Sequence, residues 1–227
     1  MKGPLEKVGR PEACLAELKQ AAGGPGPAWF LMIGEPAQAR LRLVPTVPER
    51  ILDQDVAVLT RWRNRHVTAF LTEFEASESR TRTWLADRVG PDRGRVLFMA
   101  ESLDGRLLGY MGLAFIDWST GYGEADAVVR GVEGYPGLMA SGLRTLLGWA
   151  ECQLGLGRIA VRVRSDNPAL AFYRKLGFQE RQRESLRRVE EPGMVTWVTD
   201  PEVTSSPVSL VHMDWPMTGR VGAHDSH

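Results

Sequence analysis

Long apolar runs are missing from this 227-residue sequence. None approaches the ~20 residues a helix needs to cross a bilayer, which excludes a helical span. Cysteine is scarce: Cys14 and Cys152 are the two, far apart, with no Cys or His at metal-ligating spacing. That argues against a disulfide framework and a structural zinc site, and no metal centre is expected. Excess charge of either sign is also missing, since 28 basic residues meet 28 acidic ones and the pI is near 6.9. A chain so balanced carries no overall field for nucleic acid or an anionic membrane, and neither is expected as a partner. Residues 1–7 lack the apolar stretch of a secretory signal, so a reduced, cytoplasmic setting is expected. What the sequence does have is an ordinary globular composition, 43% hydrophobic and 25% charged, enough to bury a core without cross-links.

Turn residues and periodicities divide the chain. Residues 1–38 read as an extension, with a short helix at 11–22, the breaker Gly23-Gly24-Pro25-Gly26-Pro27 and an apolar patch at 28–33. Residues 39–215 form the main domain and 216–227 a tail. Alternation predicts strands at 40–47, 95–102, 106–118 and 123–130, with an Asp-Gly hairpin turn at 103–106. Helical spacing predicts helices at 51–66 and from Ser77 or Ser79 to 89. Next come helix 137–154, strand 158–164, helix 167–176 and strands 179–189 and 208–215. Residues 190–207 read as an insertion with a small strand at 194–199. The expected fold is α/β (α+β layered), a mixed, mostly antiparallel sheet of about seven strands with flanking helices.

Chemistry concentrates where strand 123–130 meets Gly131-Val132-Glu133-Gly134-Tyr135-Pro136-Gly137 and the helix after it. A helix N-terminus offers unpaired amides and partial positive charge, and glycines let backbone approach an anion closely. A turn with no ligand is the plain alternative. The loop has neither the Gly-Lys-Ser/Thr ending of a Walker loop nor Gly-x-Gly-x-x-Gly spacing.

The next strand and helix contain Asn167-Pro168-Ala169-Leu170-Ala171-Phe172-Tyr173-Arg174-Lys175-Leu176-Gly177-Phe178. This resembles the Asn-x-x-Ala-x-x-x-Tyr-x-x-x-Gly-Phe segment of the GNAT acyl-CoA N-acyltransferase superfamily. The preceding loop and helix resemble the acetyl-CoA pyrophosphate motif of the same superfamily. Trp62-Arg63-Asn64 resembles a signature of its amino-sugar acetylating members. The likeness covers about residues 39–215. It implies a V-shaped splay between strands 123–130 and 158–164, with acetyl-CoA or another acyl-CoA lying there as co-substrate. Val128, Val129 and Arg130 would present backbone groups to pantetheine. Gly134, Tyr135, Gly137, Leu138 and Met139 would hold the pyrophosphate, with Asn167, Phe172 and Lys175 along the cofactor arm. The family loop reads Arg/Gln-x-x-Gly-x-Gly/Ala. Here Gly134 stands at the Arg/Gln position, Gly137 at the first Gly and Met139 at the Gly/Ala position, and Pro136 has no N–H to offer. Tyr173 matches the family tyrosine near the thioester sulfur, where its hydroxyl would protonate the leaving thiolate. Its alternative place is a core aromatic beside Ala169 and Leu176.

A general base must relieve the attacking ammonium of a proton. Glu124 and Asp126 share a face by the two-residue period of a strand, and Glu124 is the first choice. His66 is a second candidate. Arg63, Asn64 and His66 are expected to line the acceptor site, while Trp62 reads as core. A mid-helix Cys152 reads as packing, which favours direct transfer over an acyl-enzyme. The resemblance thus implies an acetyl-CoA-dependent N-acetyltransferase, a monomer or homodimer, acting on a small-molecule primary amine such as an amino sugar or nucleotide-linked amino sugar. A protein N-terminal or lysine acetyltransferase and a non-catalytic acyl-CoA-binding domain are the alternatives.

Overall fold

The computed structural model describes residues 10–203 and 206–217. In chain order its elements are α1 (Pro11–Ala21), β1 (Phe30–Ile33), β2 (Ala39–Leu43), α2 (Asp53–Arg65), β3 (Thr72–Glu73), α3 (Glu78–Trp84), β4 (Val96–Ser102), β5 (Leu107–Asp117) and β6 (Tyr122–Arg130). They continue with α4 (Leu138–Cys152), β7 (Arg158–Arg164), α5 (Ala169–Leu176), β8 (Gln179–Glu191), β9 (Met194–Thr199) and β10 (Ser209–Asp214). The strands form one sheet in the order β1-β2-β4-β5-β6-β7-β10-β8-β9-β3. Ten strands replace the expected seven. The strands beyond those seven are β1 and β3, which the sequence does not predict, and β9, the small strand expected at 194–199 inside the insertion. β1 and β3 have only 4 and 2 residues; β1 pairs with β2 across the short turn at 34–38, and β3 exists because the distant β9 pairs with it. Residues 1–9 and 218–227, which hold parts of the expected extension and tail, lie outside the described residues.

The two faces of the sheet are built differently. On one, α1, α4 and α5 contribute Leu15, Leu143, Leu146, Leu147, Leu170 and Leu176, packed on Phe98, Met111, Leu113, Ala125, Val161, Val163, Val211 and Met213. On the other, α2 and the segment after α3 bring Val56, Leu59, Trp62, Leu85 and Val89 onto Leu97, Met99, Tyr110 and Val129. Each fully buried aliphatic side chain contributes about 1.5–3 kcal/mol, so both layers are cemented by apolar burial. A bidentate pair also fixes α2, as Arg42 Nη1 and Nη2 donate to the two Asp55 carboxylate oxygens at 3.0 and 2.8 Å. Trp62 lies 2% exposed and stacks on Tyr110 at 6.3 Å, as expected of a core residue. Its ring explains Gly131, where a Cβ would fall 2.3 Å from the indole.

Two irregularities shape the middle of the sheet. Between β5 and β6 the register slips from Tyr110↔Val129 to Gly112↔Asp126, so Ala127 and Val128 together oppose Met111. Ala127 adopts a left-handed φ of 53° there. This bulge turns Asp126 and Val129 toward the same face, which strict alternation forbids. Next, β6 and β7 are parallel neighbours joined through α4, and they pair only at Tyr122↔Arg158, Gly123↔Ile159 and Glu124↔Ala160. Beyond those three pairs the strands diverge, leaving a V-shaped opening between residues 125–130 and 161–164.

Candidate active site

One lip of the opening is the loop before α4. Gly134 and Gly137 have φ of 90° and 77°, and a Cβ at either would meet open space. The concavity they form is therefore unfilled by protein. Gly137 is the N-cap, Ser141 N donates to its carbonyl at 2.9 Å, and Leu138 N reaches Tyr135 O at 3.3 Å. The amides of Met139 and Ala140 meet no acceptor among the described residues. Free amides, two left-handed glycines and the helix dipole together suit a diphosphate. Arg130 is exposed and pairs with Glu133 at 2.9 Å, and Tyr135 lies under Arg106 at 5.9 Å. Val128 is half-buried and Val129 buried. The residues present fit an acyl-CoA: donors at the loop, unpaired backbone along the bulge, and a tyrosine beyond.

That tyrosine is Tyr173, only 6% exposed on α5. Phe172 and Phe178 meet its ring edge-on at 5.3 and 5.5 Å. Its hydroxyl has no hydrogen-bond partner among the described residues, yet its oxygen is not sealed from water as the Trp149 indole nitrogen is. Burial pushes the phenol well above its usual pKa, and the nearby Asp126 charge pushes it further. Tyr173 and Asp126 therefore feel each other across the opening although they project from opposite faces. Asn167 has both ends engaged: its Oδ1 accepts from Ala169 N at 2.8 Å, and its Nδ2 donates to Ala69 O at 3.0 Å. Lys175 is exposed.

The two carboxylates of β6 differ sharply. Glu124 is buried, with Oε1 accepting the Tyr122 hydroxyl and Oε2 accepting from Arg162 Nε, both at 2.7 Å. Asp126 is half-buried, with Oδ2 accepting from Arg95 Nη1 at 2.9 Å and no side-chain donor on Oδ1. Loss of water raises the Asp126 pKa; Arg95 and then a hydrogen bond from the Ala127 amide oppose that shift, the Glu124 charge adds to it, and Arg162 opposes it. Charge-assisted bonds of about 1.5–3 kcal/mol each tie up Glu124, so Asp126 is the carboxylate with fewer side-chain partners.

The predicted acceptor-side residues serve as braces. Arg63 donates from Nη1 to Phe74 O at 2.7 Å and from Nη2 to Thr72 O at 2.9 Å, with Phe74 stacked on its guanidinium at 3.7 Å. Asn64 exchanges two hydrogen bonds with the Ala76 backbone, at 2.9 and 2.8 Å. His66 is exposed and caps α2. The segment they secure straddles the opening. Arg65 Nη1 donates to Gly131 O at 2.9 Å on the β6 side, while Arg164 Nη1 donates to Phe70 O at 3.3 Å on the β7 side. Sequence reasoning missed Arg95, Arg162, Tyr122 and Glu73. The pairings of Arg95 and Arg162 span 31 and 38 residues, and only the fold creates them.

Beside this bridge lies an open cavity of about 480 Å³, walled by Asn64, Val67, Phe74 and the β8–β9 turn, with Glu73, Glu75, Glu190 and Glu191 on its rim. Glu73 Oε1 accepts from Arg164 at 2.5 Å and from Trp197 Nε1 at 2.7 Å, which links the cavity wall to the end of β7.

A family model described as an acetyltransferase (GNAT) domain matches residues 40–179, and the chain belongs to that family. It is an N-acetyltransferase with acetyl-CoA as co-substrate. Solved structures agree on the fold. A probable acetyltransferase of the GNAT family from Chromobacterium violaceum is 18% identical, covers 94% of each chain and has a TM-score of 0.60. A spermidine N-acetyltransferase from Vibrio cholerae, solved with CoA and spermine, is 16% identical over 78% of this chain and 95% of its own, with a TM-score of 0.56. A ribosomal L7/L12 α-N-protein acetyltransferase in complex with coenzyme A is 11% identical over 82% and 97%, with a TM-score of 0.60. The search of curated proteins found no match.

Proposed function

We propose that the enzyme transfers acetyl directly to a cationic small-molecule primary amine, with Asp126 as general base and Tyr173 as the donor to the leaving sulfur. The observation that carries this reading is the contrast on β6, where side chains bond both Glu124 oxygens while Asp126 has one side-chain donor, on Oδ2. A primary amine with a pKa of ~10.4 is protonated at neutral pH, so a base is needed. Asp126 accepts that proton, directly or through one water, and the neutral nitrogen can then attack. Tyr173 donates its hydroxyl hydrogen toward the departing thiolate and regains a proton from solvent. The loop amides of 133–140 hold the diphosphate, which fixes the thioester in register with both groups. Cys152 ends a 15-residue helix, about 20 Å from those amides, which speaks against an acyl-enzyme.

Of the four glutamates on the cavity, Glu73 is paired with Arg164 and Glu190 with Arg188, and Glu75 and Glu191 remain to support a cationic acceptor; the spermidine-acetylating neighbour has the same fold. An amino-sugar acceptor rests on Trp62-Arg63-Asn64 alone, and all three side chains are spent on packing and backbone bonds. A panel of spermidine, spermine, glucosamine and a short amino-terminal peptide, read by thiol release from acetyl-CoA, separates these. Polyamines are expected to turn over fastest. Preference for glucosamine or the peptide would reverse the acceptor assignment and leave the transferase intact.

A further inference from the structure

We infer that Arg95 is the positioning residue of this site: its guanidinium holds the Asp126 carboxylate ionised and aimed at the opening. The inference rests on the reading of Asp126 as base, but it can fail separately. Asp126 is half-buried, and its partial loss of water favours the neutral acid. A protonated carboxyl cannot accept the proton of an ammonium, so something must offset that loss.

Among the groups around Asp126, Arg95 opposes that loss most strongly, ahead of a hydrogen bond from the Ala127 amide. On β6 the neighbour Glu124 is an anion and acts the wrong way. On β7 the cation Arg162 also favours the ionised form, but less than Arg95 does, and it is paired with Glu124 at 2.7 Å. On α5 and β5 the phenols of Tyr173 and Tyr110 are raised by burial and stay neutral. Arg95, just ahead of β4, is the cation among the described residues that bonds Asp126 directly, at 2.9 Å.

Arg95 is itself held from several sides. Its Nε faces Asp92 Oδ2 at 3.5 Å, and its guanidinium lies over the Phe115 ring at 5.6 Å. Asp92 Oδ1 accepts from Gly94 N at 2.8 Å, and Lys19 Nζ donates to the carbonyl oxygens of Asp92 and Val89 at 2.6 and 2.7 Å. Phe115 stands on its own bulge with φ of 54°, stays exposed, and also receives Arg162 at 4.6 Å. The cation is therefore anchored before any substrate arrives. The pair uses one Asp126 oxygen, Oδ2, so the carboxylate keeps accepting capacity toward the opening.

The test is a carbon-13 NMR titration of the Asp126 carboxyl in the full chain, assigned by its loss in Asp126→Asn. It compares wild type, Arg95→Gln and Arg95→Lys, each checked for a native melting transition. Removing the cation should raise the Asp126 midpoint by about one to three pH units, and Arg95→Lys should restore most of the shift. With the best amine of the panel, the acid limb of kcat/KM should move up by the same amount. A merely structural loss would instead lower activity evenly across pH. An unmoved midpoint in Arg95→Gln would overturn the inference and spare the base assignment. A raised midpoint with full activity in Asp126→Asn would overturn the base assignment and leave the Arg95 pairing standing.

Discussion

The Tyr173 hydroxyl is held ready by what surrounds it rather than by a bond it must break. Two aromatic edges lock the ring, burial keeps the phenol protonated, and no described residue competes for its hydrogen. Replacing Tyr173 with Phe preserves the ring contacts and removes only the donor. Stopped assays should then show turnover reduced by about 10²-fold or more, with acetyl-CoA affinity nearly unchanged. Equal turnover in the two proteins would remove Tyr173 from the chemistry. The motif around it made this residue legible in the sequence. The choice between Glu124 and Asp126 was not legible, because it depends on Tyr122, Arg162 and Arg95, whose side chains meet them only through strand pairing. Arg63 and Asn64 carried a family signal too, yet their donors hold the backbone of residues 72–76. A motif names residues without saying which way they face.

Among the elements, α1 shows how a segment outside the matched domain becomes part of the fold. Leu15 sits in the main core and Lys19 is buried against the turn at 89–92, while β1 pairs along β2. Burial lowers the Lys19 pKa from 10.5 to about 8. The neutral amine still has two hydrogens for its two carbonyl partners, so the folded chain sheds the charge more readily than the unfolded chain. Between about pH 8 and 10.5 the unfolded state binds the extra proton, and stability rises with pH through that window. Denaturant melts of wild type against Lys19→Met should show the difference moving in favour of wild type from pH 8 to 10. A flat difference would mean the charge is already compensated. Long elements such as α2, α4, β5 and β7 were legible to within a residue or two, because periodicity and caps mark them. The bulges at Phe115 and Ala127 were not, because a one-residue slip is defined only against the partner strand.

Across the whole molecule, one junction organises function. Every other neighbouring pair in the sheet is antiparallel; β6 and β7 run parallel, and they part after three residue pairs. The α4 crossover that makes them parallel also delivers its free N-terminal amides to the mouth of the opening. The bulge at Ala127 turns Asp126 toward the acceptor side, while α5 brings Tyr173 from the other. The proposed carrier site, base and acid donor thus share the place where the sheet is open. Isothermal calorimetry of the full chain with desulfo-CoA, which has the diphosphate but no reactive sulfur, examines that junction without any acceptor. One molecule should bind per chain, more weakly as salt is added, and Gly137→Pro, which removes an amide and the left-handed turn, should abolish binding while the fold persists. Native protein that takes up no desulfo-CoA would contradict the junction as the seat of transfer.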